Sequence, residues 1–359
     1  MPSIYGLSLE ELASAVTGWG QPAYRAQQIW DWLYKRLAAS PAEMKNLPKA
    51  LRERLAAEYS PWGSLAPIAD LRSKDGGTRK WLFHLPDGRQ VEAVLMQYER
   101  RRTACISTQA GCAMGCVFCA TGQMGFDRHL TAGEIVEQVL WVARELKGAP
   151  LTNVVVMGMG EPFHNYDATL EAVDRLADPA GFNFGARRFT ISTVGLVPAI
   201  ERFAAERRQV NLAVSLHAAT DGLRTSLLPI NKRYPLAKLM AACKRYVETT
   251  RRRLSFEWAL IEGVNDTPEE ARALGRLLAP LRPLAHVNAI PLNPTEDYAG
   301  AASTRQRAAA FQEALAGAGI PCTVRVRRGI DIHAGCGQLR RRAREAEATV
   351  VKATNNPAL

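Results

Sequence analysis

Hydrophobic and polar positions along the chain fall into two regimes. Over the first sixty residues apolar side chains recur at intervals of three and four, the spacing of helices with one buried face. "SLEELASAV" opens with Ser8 as a plausible N-cap, "AYRAQQIWDWLYKRLAA" continues the period, and "KALRERLAAEY" supplies a third helix. The period then drops to two in "TRKWLFHLPDGRQVEAVLMQYE" and "TACISTQ", with Pro86, Asp87 and Gly88 as a hairpin turn. From about residue 131 short apolar runs ("NVVVMGMG", "RRFTIST", "VNLAVSLH", "LSFEWALIEG", "AHVNAIPLN", "CTVRVRR") alternate with helical segments such as "TAGEIVEQVLWVARELKG", "PLAKLMAACKRYVETT" and "TPEEARALGRLLAPL". This alternation predicts an α/β fold, a parallel sheet with helices outside, closed or partly closed into a barrel whose functional residues stand at strand C-termini. The expected division is a helical domain over 1–60, a linking hairpin over 61–97, a barrel over 98–345 and a tail over 346–359 that frays. No internal repeat or low-complexity segment stands out.

Composition narrows the class. At 359 residues and 47% hydrophobic content the chain can bury one large core with a smaller appended domain. No run approaches the roughly 20 apolar residues of a membrane helix, and "MPSIYGLSLEELASAV" lacks the basic stretch of a secretory signal. Seven cysteines, odd in number and clustered, speak against a secreted disulfide framework and for a reducing, cytoplasmic setting. No coiled-coil pattern appears, so a monomer is expected. The formal charge of +11, from 46 basic and 35 acidic residues, suggests a polyanionic partner. Basic groups recur at Arg100 to Arg102, Arg187 and Arg188, Arg251 to Arg253, Arg325 with Arg327 and Arg328, and Arg340 to Arg342. Singly each reads as a solvated face; together they favour nucleic acid.

The candidate chemistry centres on "GCAMGCVFCATGQMGF", with Cys112, Cys116 and Cys119 in a run of small and apolar residues. Three thiolates on one loop suit an iron–sulfur cluster with one iron left open. A structural zinc site would want a fourth ligand, usually from a second cysteine or histidine pair, and only His129, outside the compact loop, is near. "MGMGEP" ends a strand with two glycines and an acid, and Phe163 at the third glycine position argues against a dinucleotide-binding turn. Cys243 in a helix and Cys322 at a strand start read as buried small residues. Cys336, flanked by Gly335 and Gly337, reads as a loop where backbone can approach a ligand. Trp30, Trp32 and Trp62 could stack on bases, although core positions account for most of them.

The spacing Cys-x3-Cys-x2-Cys resembles the signature of the radical S-adenosylmethionine (SAM) superfamily, which implies a 4Fe–4S cluster on Cys112, Cys116 and Cys119. The same resemblance implies SAM contacts at Gly160, Glu161, Ser192, Ser215, Leu216, His217 and Asn293. "CISTQAGC", "CVFCATG", "GMGEP", "ISTVG", "SLHA" and "DIHAGCGQL", in this order behind a helical N-terminal domain and a hairpin, resemble the RlmN-type dual-specificity RNA methyltransferases more closely. "GQMGFDRHL" after the cluster loop departs from the family pattern.

The resemblance implies a partial (β/α)6 radical SAM barrel that methylates carbon 2 of adenosine in 23S ribosomal RNA and in transfer RNA, the latter 3′ of the anticodon. It implies two SAM molecules per turnover: Cys336 takes a methyl group from one by displacement. The other is cleaved at the cluster, and the radical so formed removes hydrogen from that methyl group, which then adds to adenine. Glu92, on an alternating strand where burial would raise its pKa, would take the ring proton. Cys105 would resolve the adduct by forming a transient disulfide with Cys336. The base must leave its stack to reach a barrel mouth, and the electron would come from a flavodoxin-like protein. Carbon-8 methylation of the Cfr type, a glycyl-radical activase and a small-molecule SAM enzyme remain alternatives, as does an RNA-binding protein with structural zinc.

Overall fold

The computed structural model describes residues 3–332 together with 334, 335, 337, 338 and 340. Three helices lead: α1 (Leu9–Gly18), α2 (Tyr24–Tyr34) and α3 (Lys49–Glu58). Ser8 caps α1 in a reciprocal box, its hydroxyl accepting the Glu11 N–H while the Glu11 carboxylate accepts the Ser8 N–H. Three antiparallel strands follow, β1 (Ala66–Arg72), β2 (Thr78–His84) and β3 (Gln90–Gln97), and β3 pairs antiparallel with β4 (Arg102–Cys105). A separate two-stranded ribbon, β5 (Gln109–Gly111) and β6 (Phe126–His129), brackets the cysteine loop and the short α4 (Ala120–Gln123).

The rest alternates as the pattern requires: α5 (Ala132–Glu145), β7 (Asn153–Val156), α6 (Tyr166–Ala177), β8 (Phe189–Thr193), α7 (Val197–Ala205), β9 (Asn211–Ser215), α8 (Asp221–Leu227), α9 (Leu236–Thr250), β10 (Leu254–Leu260), α10 (Pro268–Leu278), β11 (Ala285–Pro291), α11 (Arg305–Gly317) and β12 (Cys322–Val324). One sheet runs β1-β2-β3-β4-β7-β8-β9-β10-β11-β12, parallel from β4 onward. It is thus a partial barrel extended on one side by three antiparallel strands. The chain after β12 spans the seam: Arg328 donates to the Gln97 carbonyl (3.3 Å), and the Asp331 carboxylate accepts the Lys74 N–H (2.8 Å).

The linking hairpin is larger than the alternation predicts, because β1 was not expected. Its side chains are mostly exposed, and Pro67, its second residue, lies at an irregular register, so no apolar face marks it. The core is continuous between the leading helices and the barrel. Helix α5 is buried on nearly every side because it lies between them. Gly133 makes room for the Tyr5–Gly6 backbone, and the Glu137 carboxylate accepts the Ser64 and Leu65 N–H groups (2.7 and 3.2 Å). Trp30 is buried, while Trp32 and Trp62 are half-buried against the core. Cys243 is buried as expected, whereas Cys322 is only half-buried. Among the described residues no helix is long and apolar enough to cross a membrane.

Candidate active site

The cysteine loop is held at several points. Gly111 has a left-handed backbone, and a side chain there would collide with the Gly125 carbonyl. The Cys112 N–H donates to that carbonyl (2.7 Å), Val117 N–H to Leu227 O (3.1 Å), and the Gln123 amide to Val117 O (2.6 Å). Phe118 sets its ring against His217 and Tyr298. Burial pushes the Cys112 thiol up to about 12 and the Cys116 thiol well above its ordinary value, and the neighbouring thiols add to both shifts. Such thiols ionise only against a strong positive charge, as a metal centre supplies.

Glu161 follows β7 at the same end of the barrel. It is buried; its carboxylate accepts the Val194 N–H (2.8 Å) and the Phe163 N–H (3.0 Å), and no lysine or arginine among the described residues bonds to it. Burial, partly offset by these donors and Thr193, pushes it up to about 7. A cationic amine is the ligand such a carboxylate lacks. Gly160 (φ 103°) brings backbone onto Gln109, where a Cβ would come within 2.6 Å of the Gln109 side chain. The Gln109 carbonyl oxygen accepts the Glu161 N–H (2.8 Å).

The neighbouring strands add a polar line inside the barrel. Ser192 on β8 and Ser215 on β9 bring their hydroxyls to 3.3 Å. Leu216 is buried, and its N–H donates to Glu257 O. His217 has a left-handed backbone (φ 59°); its Nδ1 accepts the Ala259 N–H (2.9 Å), and burial drives it down to about 3, so the ring is neutral with its proton on Nε2. Asn293 lies apart: exposed at the mouth, it lines a cavity of about 360 Å³ with Ala120, Arg328, Gly329 and Gly335.

On the other side of the cysteine loop, Glu92 on β3 is buried and paired with Lys80 on β2 (2.9 Å). The same carboxylate accepts the N–H groups of Gly337 (2.7 Å) and Arg340 (2.8 Å), and Lys80 donates to Gly335 O (2.8 Å). Three donors thus hold the Glu92 carboxylate in place. Cys105 on β4 faces Val94 in register, which puts it on the sheet face that bears Glu92. Gly337 also packs on α4, where a side chain would meet Thr121. Cys336 lies outside the described residues, as do Arg341 and Arg342. Arg340 does not belong to a solvated basic face: it is buried and ion-paired with Asp127.

Several partners escaped the sequence reading. Lys80 is one; the hairpin register sets it diagonal to Glu92, which the turn at Pro86 to Gly88 could have revealed. Arg224 on α8 is fully buried and donates to Leu216 O, Asn231 Oδ1 and Val194 O, tying together the loops after β8 and β9. Glu257 on β10, in register with Ser215 and Asn288, accepts from the Asn288 amide (2.9 Å), and burial pushes it up to about 7. One charged residue inside an apolar strand gives no signal of its bonding partner.

Comparison with known proteins places this arrangement. The Radical SAM superfamily profile matches residues 106–274, and that of the Ribosomal RNA large subunit methyltransferase N-terminal domain matches 3–60. A protein of Chloroflexus aurantiacus named "Probable dual-specificity RNA methyltransferase RlmN" is 52% identical over 347 residues, covering 94% of this chain and 92% of that one. The chain belongs to the RlmN family of radical SAM RNA methyltransferases. The Myxococcus xanthus "Dual-specificity RNA methyltransferase RlmN 1" is likewise 52% identical over 340 residues, covering 94% of each chain. The crystal structure of a radical SAM methyltransferase from Sphaerobacter thermophilus superposes with a TM-score of 0.90 at 51% identity, over 94% of this chain and 99% of that one. Membership of the RlmN family implies SAM and a 4Fe–4S cluster, and the donor set fits both. Among the described residues no three ligand-type side chains converge on a single-ion site. A cube needs no such convergence, since each thiolate binds its own iron. The buried Glu161 carboxylate, to which no described lysine or arginine bonds, has the charge that a cationic amine would meet.

Proposed function

We infer that the protein methylates carbon 2 of an adenosine in 23S ribosomal RNA and of the adenosine 3′ of the anticodon in transfer RNA. Cys336 carries the methyl group and Cys105 resolves the adduct. The observation that carries this reading is the Lys80–Glu92 pair, which holds Gly335, Gly337 and Arg340 beside the cysteine loop and on the sheet face of Cys105. Backbone on both sides of position 336 is thereby held near α4 and the cysteine loop, which supports a role for that position in the same chemistry.

The chemistry requires a sulfur there. Carbon 2 of adenine is too poor in electrons to attack a sulfonium methyl group. The Cys336 thiolate attacks instead, forming a carbon–sulfur bond as S-adenosylhomocysteine leaves. Cys112, Cys116 and Cys119 would hold the cluster, which with a second bound SAM would supply the one-electron chemistry needed to take a hydrogen atom from the Cys336 methyl group. Glu161 and Gly160 hold the amino-acid end of SAM, and Ser192, Ser215, Leu216, His217 and Asn293 contribute the remaining contacts. Once the methylene carbon has joined the ring, the Glu92 carboxylate accepts the ring proton, and the surplus electron would return to the cluster, left oxidised by the earlier cleavage, as aromaticity is restored. The Cys105 thiolate then attacks the Cys336 sulfur: the carbon–sulfur bond breaks, the disulfide forms, and the methylene carbon leaves with the bonding pair as an enamine of the adenine, which takes up a proton to become the new methyl group. An external dithiol reduces the disulfide, and a flavodoxin-like protein delivers electrons to a cytoplasmic monomer.

Incubation of reconstituted enzyme, SAM and reductant with unmodified ribosomal RNA, followed by nucleoside analysis, tests this. 2-Methyladenosine is expected, with S-methylcysteine on the peptide around Cys336 and neither product from Cys336→Ala. SAM cleavage without methylated RNA would refute the reading in favour of an activase.

A further inference from the structure

An aromatic trio stands at the barrel mouth outside the machinery assigned above. Phe126 and His129 lie on β6, and His164 lies in the loop after β7. The three rings pack at centroid distances of 4.8 to 5.5 Å. All three are exposed, Phe126 at 38%, one of few large apolar side chains left open to solvent. The register shift between Ala110 and Gly111 permits this placement: Asp127 is left without a partner strand residue, so Phe126, opposite Gly111, shares the ribbon face of His129, opposite Gln109.

One buried amide organises the trio. Gln109 is fully buried, and its nitrogen lies 3.0 Å from His129 Nδ1 and 3.1 Å from His164 Nδ1. Its orientation follows from the other end: the Glu161 N–H can only donate, so the atom it meets is the amide oxygen. The NH2 group therefore faces both imidazoles, and both Nδ1 atoms accept. Each ring then carries its proton on Nε2, away from Gln109. Burial and the neighbouring His164 ring hold His129 below its ordinary pKa, in keeping with a neutral His129 ring. The result is a rigid surface with one open phenyl face and two N–H donors, joined through a single side chain to the Glu161 backbone.

We propose that Phe126, His129 and His164 receive an unpaired nucleotide of the RNA strand beside the reactive adenosine. The base stacks on Phe126, and the two Nε2–H groups donate to its acceptors or to the adjoining phosphate. The inference rests on the RNA methyltransferase reading, and RNA is the occupant that the chemistry favours. Exposed aromatic faces are sequence-tolerant stacking sites for single-stranded bases, the N–H donors match a ligand rich in acceptors, and the chain carries a net charge of +11. An adenosine turned out of its stack leaves neighbours that need such a platform.

The test uses full-length enzyme with its cluster and two labelled RNAs, a stem–loop with the target adenosine in the loop and a fully paired duplex, titrated by fluorescence anisotropy. Phe126→Leu keeps apolar bulk and removes the aromatic face; Phe126→Trp keeps the face. The leucine variant is expected to bind the stem–loop about five- to a hundredfold more weakly, the range for loss of one stacked base. Its affinity for the duplex stays the same, and its KM for RNA rises more than its kcat falls. The tryptophan variant retains affinity. Iron content and thermal midpoint, measured alongside, identify any variant that has misfolded. Equal affinity of Phe126→Leu and wild type for the stem–loop overturns the proposal, as does an equal loss on both RNAs. Slower electron delivery from a flavodoxin with RNA affinity intact overturns it in favour of a protein-docking surface. Wild-type enzyme that neither binds nor methylates the stem–loop would instead defeat the RNA methyltransferase reading itself.

Discussion

Replacing Lys80 by methionine removes one partner of a buried ion pair and leaves the other in place. Lys80 is wholly buried and Glu92 nearly so. Breaking such a pair costs about 3–5 kcal/mol, because the remaining charge has lost both its counter-ion and water. Glu92 keeps two N–H donors, from Gly337 and Arg340, which sets the expectation at the lower end, about 3 kcal/mol. An unfolding entropy of roughly 2.1 cal/mol/K per residue makes one degree worth about 0.75 kcal/mol in this chain of 359 residues, so the midpoint should fall by about 4 °C. Differential scanning calorimetry reads this directly. In the double variant Lys80→Met, Glu92→Gln the stranded charge is gone, but only one of the two N–H groups keeps its acceptor oxygen while the other faces the amide NH2, so about half of the loss should be recovered. Methylation should not return, since the amide cannot take a proton. A midpoint for Lys80→Met within half a degree of wild type would refute the reasoning, as would a double variant no more stable than the single one.

Other outcomes follow from the same geometry. Glu137 has a folded pKa of about 7 against an ordinary 4.5, so the folded protein holds its proton more tightly than the unfolded chain. Stability therefore falls as pH rises from about 4.5 to 7, by up to about 3 kcal/mol from this group. Glu137→Gln should flatten that part of the urea-midpoint curve between pH 5 and 8, and an unchanged slope would contradict it. Gly160→Ala puts a Cβ 2.6 Å from the Gln109 side chain at a left-handed position. Displacing Gln109 and straining the backbone together should cost about 2 kcal/mol, weakening SAM binding in equilibrium dialysis by about thirtyfold while iron content persists. Cys105→Ala should still form S-methylcysteine but trap RNA covalently on the protein, visible as a shifted band that nuclease removes.

The barrel strands were legible because each is a short apolar run between helical segments, and a strand buried on both faces can hardly read otherwise. β1 was not, for the opposite reason: an exposed edge strand has no core-facing period. Within the site, the cysteine spacing and "GMGEP" announced themselves, since both carry glycines where side chains would collide. Glu92 was placed on its strand correctly, yet its bonds to Lys80, Gly337 and Arg340 depend on register and on chain far away. Gln109 is similar. Nothing local in "STQAGC" says that its glutamine will orient two histidines and a glutamate. Sequence pattern reports burial and period; it does not report which buried polar group meets which.

The bond between Glu92 and Gly337 joins positions separated by 245 residues, whereas the base of the cysteine loop closes on its own neighbours, Cys112 on Gly125 beside the β5–β6 ribbon. The two halves of the machinery therefore mature on different schedules, because contacts between distant segments form late. A partly folded chain could already offer three thiolates to iron while the stretch around Gly335 and Gly337 was still unmoored. On the proposed reading, cluster insertion and methyl-carrying competence would be separable events in the life of one molecule, and damage to the clasp would leave an iron protein that lacks its tool.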